Sequence, residues 1–147
     1  IETRCLLQAR GGPMEFLVNL DVDDLERAVD FYQSVFDLRE GRRLGSFAVE
    51  MLGGPTPIYL LLKDAGSAAT PGEAQQRSYE RHWTPIHLDF VVEDIEAATA
   101  RAVAHGARLE QPIATKAGHM LALMADPFGH GFCLLQFVGQ GYDELAI

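Results

Sequence analysis

Two short stretches hold the residues best equipped for chemistry. In HLD, His87 to Asp89, an imidazole and a carboxylate sit two positions apart, and residues two apart on an extended chain share one face. Such a pair acts as a base with an acidic neighbour, recognises a polar ligand, or is a histidine satisfied by a nearby hydrogen bond. A single imidazole without a nucleophile or electrophile beside it does not define a reaction. His87 is therefore the catalytic candidate and, with Asp89, a ligand-binding candidate. The second stretch, DPFGHGFC, runs from Asp126 to Cys133. Asp126, Pro127 and Gly129 suit a tight turn, which leaves His130 at the rim of whatever follows. Cys133 is either a small buried apolar residue or a ligand-contacting thiol. Asn19, His119 and Trp83 complete this first set. Trp83 offers a flat apolar surface to an aromatic ligand, or packs a seam.

These residues are positioned by elements that occur twice. Laid on itself at an offset of 70 residues, the chain aligns EFLVNLDVDDLERAVDFY, Glu15 to Tyr32, with PIHLDFVVEDIEAATARA, Pro85 to Ala102. Each copy begins as an alternating strand. Val18, Leu20 and Val22 share one face, while Leu17, Asn19 and Asp21 share the other, in register with His87, Asp89 and Val91. The period then becomes helical. Leu25, Ala28, Val29, Tyr32 and Phe36 recur after a cap candidate at Asp23, with Glu26 at the reciprocal position. The second helix uses Ile95, Ala98, Ala102 and Val103, with Gly106 as its left-handed stop.

Further strands are expected over 42–52 and 57–62 in the first copy, and near 108–112, 119–124 and 132–138 in the second, with Gly53, Gly54 and Pro55 marking a turn. The resulting fold class is α+β, two tandem β-α-β-β-β modules forming a curved mixed-sheet cleft. The divisions are an N-terminal extension (1–13), a first module (14–62), a linker or lid (63–84), a second module (85–138) and a C-terminal tail (139–147). A short helix fits within 73–80. With one sheet face given to the helices, the opposite faces, bearing Asn19, Asp21, His87 and Asp89, look into a shared cleft.

The 147 residues carry 12 basic against 21 acidic side chains, a formal net charge of −9. Clustered positive charge drives nucleic-acid binding, so a nucleic-acid partner is not expected. The apolar runs are far shorter than the ~20 residues of a spanning helix, so no membrane partner is expected either. Two cysteines, Cys5 and Cys133, do not make a disulfide framework, and a reduced, cytoplasmic protein is the expectation.

Three segments, DVDDLERAVDFYQSVFDL (21–38), HLDFVVEDIEAATARAVAHGARL (87–109) and ADPFGHGFCLLQF (125–137), together resemble the glyoxalase, bleomycin-resistance and extradiol-dioxygenase superfamily, the vicinal oxygen chelate proteins. The resemblance spans about residues 14–138. It implies the paired-module fold, a homodimer and a small-molecule ligand. It also implies four metal-ligand positions, which fall here on Leu17, Tyr59, His87 and Cys133. Leu17 has no donor atom, and three protein ligands with an open position are the usual catalytic requirement. The chain thus reads as a divergent member without the full ligand set. No cofactor is expected, and any divalent metal would rest on His87 and Cys133. The first functional choice is binding of a small, partly apolar organic ligand by Asn19, Tyr59, Trp83, His87, Asp89, His119, His130 and Cys133. A lyase or isomerase using His87 as base or metal ligand is the alternative. A third is a non-catalytic interaction protein whose cleft is filled by Leu17, Leu135 and Phe137.

Overall fold

A computed structural model describes residues 14–72 and 74–147; the expected N-terminal extension, with Cys5, lies outside the described residues. The chain forms two mixed sheets, each with one helix. In the first, β1 (Val18–Val22), β2 (Arg39–Leu44), β3 (Ala48–Leu52) and β4 (Ile58–Leu62) lie in the order β1-β4-β3-β2. β1 runs parallel to β4 and the remaining pairs are antiparallel. In the second, β5 (Leu88–Val91), β8 (His119–Ala125) and β9 (Gly131–Phe137) follow the order β5-β9-β8, and β6 (Arg108–Leu109) and β7 (Ala114–Lys116) both pair with β8. β5 is parallel to β9. Each copy therefore places its first strand beside its last, as two tandem β-α-β-β-β-like modules require.

The helices are α1 (Leu25–Phe36) and α2 (Ile95–Ala104). α1 is capped by Asp24, not Asp23: the Arg27 N–H donates to Asp24 Oδ1 at 3.0 Å. With the cap one residue later, Glu26 falls short of the reciprocal position, and its carboxylate instead pairs with Arg43. Asp94 caps α2 in the same way, and Gly106 follows it at φ +104, the left-handed stop.

Other expectations need adjustment. The strand expected over 42–52 is two strands, because a turn at Gly45 folds β2 back onto β3. In the second module the matching edge breaks into β6 and β7 around Pro112, which has no N–H to give to a ladder. No helix forms over 74–80. The segment after β4 instead makes turns and an Ala68–Gln76 bridge, and then runs as a strap against both modules. Arg77 pairs with Asp21 of β1 at 2.7 Å. The His82 N–H donates to the Gly129 carbonyl at 3.1 Å. Gly129 has φ +79, and a Cβ there would sit 2.1 Å from the Glu80 carbonyl oxygen, so only glycine lets strap and turn meet.

The modules share one core. Phe36 of α1 stacks on Phe90 of β5 with centroids 3.8 Å apart, and Phe31 and Phe132 meet edge to face. Val22, Met51, Leu60, Met124, Phe128 and Leu134 extend the same cluster through both sheets. Such packing holds the two cleft faces in a fixed relation, because a close-packed interior resists sliding.

Candidate functional site

Pleating sends Val49, Met51, Leu60, Ala122, Phe132 and Leu134 to the helices. The alternate residues go to the opposite faces. In the second module these are His87 and Asp89, then Cys133 opposite Asp89, then Leu123 opposite Cys133. His87 Nε2 lies 3.1 Å from Asp89 Oδ1. Burial and the neighbouring Asp89, which also accepts from the thiol, push Cys133 up to about 12. At neutral pH Cys133 is thus a protonated donor and no nucleophile, since the thiolate is the reactive form. Above it opens a cavity of about 240 Å³ lined by Arg81, Trp83, His87, Glu110, Leu123 and Cys133, among others. Arg81 is held across its mouth by Glu110 at 2.7 Å, and Trp83 is 79% exposed.

The same positions in the first module are closed. Tyr59 lies opposite Asn19 and Glu50 opposite Tyr59. The Tyr59 hydroxyl donates to Glu50 Oε2 at 2.7 Å, and Arg42 donates to the same carboxylate at 2.6 Å. These two donors, Arg42 first and then Tyr59, hold Glu50 down at about 2 despite burial. Tyr59, expected to face a ligand, is instead buried in this triplet.

Between the modules a further hollow is lined by Asn19, Asp21, Tyr32, His82, His87 and His130. Asp126 organises its floor: its carboxylate accepts from the Tyr32 hydroxyl at 2.7 Å and from the backbone N–H groups of Phe128 and His130. Burial, and then the Asp126 charge, raise the Tyr32 phenol well above its ordinary range, so it stays a donor.

The expected site residues thus divide. His87, Cys133 and Trp83 come together at the second-module cup, with Asp89 behind His87; Asn19 and His130 meet His87 at the hollow beside it. His119 does not join them. It is buried at the far end of β8, with Nδ1 3.0 Å from the Ala117 carbonyl and its ring edge to face with Tyr142. Of the residues proposed to fill the cleft, Leu135 is buried, whereas Leu17 and Phe137 are exposed. Sequence reasoning passed over Glu50 and Glu110. A lone carboxylate inside the apolar run FAVEML was the signal for Glu50; Glu110 is marked locally only by Arg108, and its hydrogen-bonded partner Arg81 is 29 residues away.

The four-position metal set does not fit, because Leu17 has no donor and Tyr59 is engaged by Glu50. A different set does exist: donor atoms of His87, Asp89 and Cys133 all lie within 4.8 Å of one another. Tetrahedral zinc wants donors about 3.3–3.7 Å apart, judging from its bond lengths, so small side-chain rotations would be required. No helix among the described residues is long and apolar enough to cross a membrane.

A family model described as a glyoxalase-like domain matches residues 17–135. No curated protein matches the chain. Among solved structures, a genomically encoded fosfomycin resistance protein from Listeria monocytogenes is 21% identical with a TM-score of 0.66, the match covering 86% of this chain and 95% of that one. A glyoxalase/bleomycin resistance protein/dioxygenase family enzyme from Burkholderia phytofirmans is 20% identical at TM-score 0.64, covering 83% and 97%. A lactoylglutathione lyase from Agrobacterium tumefaciens is 20% identical at 0.59, covering 85% and 94%. At such identities the likeness is one of fold, and a scaffold shared by differently described proteins leaves function to the site.

Proposed function

The chain belongs to the glyoxalase-like domain family, and from that premise we propose that it binds a small, partly apolar organic molecule in the cup of its second module. The observation that carries this reading is the asymmetry of the two faces: one is closed by its own ion pair, the other is open above His87 and Cys133. In this reading Leu123, Cys133 and Trp83 give the apolar walls, and the His87–Asp89 pair anchors one polar group of the ligand. Pockets of this composition fix orientation with few polar groups and gain affinity from apolar contact. Residues 14–62 and 85–138 act as the two modules, and 63–84 as the strap that walls the cup. A cytoplasmic homodimer belongs to the same proposal, supported by exposed apolar residues beside the cleft, Phe16, Leu17, Ile86 and Val91; sedimentation tests it.

The direct experiment is ligand-observed NMR with a library of small aromatic and carbonyl compounds. Saturable one-to-one binding is expected, lost in Leu123→Trp and weakened about tenfold in His87→Ala, which removes a hydrogen bond to the ligand. Binding indifferent to Leu123→Trp, or no binder at all, would overturn the cup as the site.

One observation favours a second reading, a lyase or isomerase with a metal ligand at His87: the N, O and S donors of His87, Asp89 and Cys133 converge. Such a mixed set with a thiolate suits zinc better than magnesium or calcium. A metal held there would polarise a substrate oxygen. Cobalt(II) titration distinguishes the readings, since thiolate ligation gives an intense near-ultraviolet charge-transfer band that Cys133→Ser abolishes. Absence of the band in the unaltered protein removes the metal reading.

A further inference from the structure

The His82 and His130 rings meet where the strap crosses the junction of the modules. His130 Nδ1 lies 2.8 Å from His82 Nε2, with the rings nearly perpendicular. At the outer ends, His130 Nε2 lies 2.6 Å from the Asp21 carbonyl oxygen and His82 Nδ1 lies 3.0 Å from the Glu80 carbonyl oxygen. A carbonyl oxygen only accepts, so both outer nitrogens must carry hydrogen. The central contact needs a third. Two neutral imidazoles supply two N–H groups between them, and two imidazolium rings supply four. With two hydrogens, one of the three contacts becomes a meeting of lone pairs. With four, the central contact becomes N–H against N–H. Only the pair holding three hydrogens, with one net positive charge, satisfies the whole chain.

We propose that His82 and His130 form a binding site for a single proton, whose occupancy latches the strap bearing Trp83 across β1 and the turn before β9. The three parts of the latch are separate in sequence: His82 belongs to the strap, His130 to the turn, and the Asp21 carbonyl to β1. One proton therefore ties three separate segments. The surroundings tolerate the charge. On β1 the Asp21 carboxylate faces the pair's neighbourhood but is matched by Arg77; Asp23 lies just beyond it. From α1 comes the neutral Tyr32 phenol. The turn supplies the Asp126 carboxylate, bonded to the His130 backbone N–H. The strap contributes Glu80, Arg81, which is paired with Glu110, and Tyr79, whose ring meets His130 edge to face and which burial pushes up to about 12. From β5, His87 lines the same hollow.

The consequence for the cup rests on the ligand-binding reading above: Arg81, Trp83 and Thr84 wall the cup, so fastening His82 fixes that wall. The latch itself does not depend on that reading and is tested on ligand-free protein. Amide hydrogen exchange at His82, whose N–H is bonded to Gly129, is followed across pH 5 to 8, where histidines change charge, after correction for the intrinsic pH dependence of exchange. Protection is expected to pass through a maximum, about fivefold above its values on either side, the change set by one hydrogen bond. The single tryptophan, Trp83, supplies a second readout by fluorescence with the same bell shape. His130→Gln removes both bells; His82→Gln, on the exposed strap, does so if the turn variant fails to fold. Flat or monotonic profiles in the unaltered protein, or bells that survive both substitutions, would overturn the proposal.

Discussion

The two modules share a backbone register and put it to opposite uses. Asn19, Tyr59 and Glu50 stand where Asp89, Cys133 and Leu123 stand in the second copy. In the first module the central carboxylate lies on the third strand and is matched at once by Arg42 and Tyr59, so the face closes on itself. In the second the carboxylate lies on the edge strand, between an imidazole and a thiol, and an apolar Leu123 takes the central place. The carboxylate is thus matched within the first sheet and stands at the side of an open cavity in the second. The turns before the last strands differ as well. The Asp126 carboxylate accepts three hydrogen bonds in the second module, whereas the side-chain bond of the first turn is the Thr56 hydroxyl donating to the Phe16 carbonyl at an exposed site.

The comparison can be broken most severely at the turns. Asp126→Ala leaves the Tyr32 hydroxyl and two backbone N–H groups without an acceptor and should cost about 2–4 kcal/mol in urea unfolding, whereas Thr56→Ala should cost under about 1 kcal/mol. Next comes Glu50→Leu, which writes the second module's residue into the first. It strips the Tyr59 hydroxyl of its acceptor and should cost about 1–3 kcal/mol at neutral pH. Glu50 titrates at about 2 in the fold against 4.5 when free. Its contribution is therefore fully present above pH 4.5 and disappears as pH falls toward 2. Unfolding measured between pH 5 and 2 should fall less steeply in Glu50→Leu than in the unaltered protein.

Smaller effects sharpen the same contrast. His87→Ala should change stability by less than about 0.5 kcal/mol, because both partners of its contact with Asp89 are partly exposed and such surface pairs contribute little; denaturation checks this alongside the binding loss above. Cys133 alkylation, followed by mass spectrometry in a Cys5→Ser background, should run on the order of a hundredfold or more slower than for a free thiol. Asp89→Asn should hasten it without bringing it to the rate of a free thiol, since burial is the largest single cause of the raised pKa and remains.

Much of the architecture was legible from period alone. The strand-to-helix change after Val22 and after Val92, and the opposition of Val18 and Asn19 faces, follow from a two-residue and a 3.6-residue repeat. His87 and Asp89 could be placed on one face for the same reason, whereas Cys133 joins them only through the pairing of β5 with β9. Tyr59 and His119 were expected among the ligand contacts, but Glu50 arrives at Tyr59 from another strand and Tyr142 covers His119 from beyond β9. The linker's small polar residues gave no hint that Gly129 would let it pack as a strap.

By itself the sequence determined the duplicated module, the sheet faces and the absence of a full set of metal donors at the four family positions, because each of these depends on residue type and spacing along one segment. The tertiary structure decided which face closes, which stays open, and that His82 meets His130 across 48 residues of chain. Those outcomes depend on partners brought together by strand pairing and by a shared core, and a charge or a proton is satisfied only by what stands beside it in space.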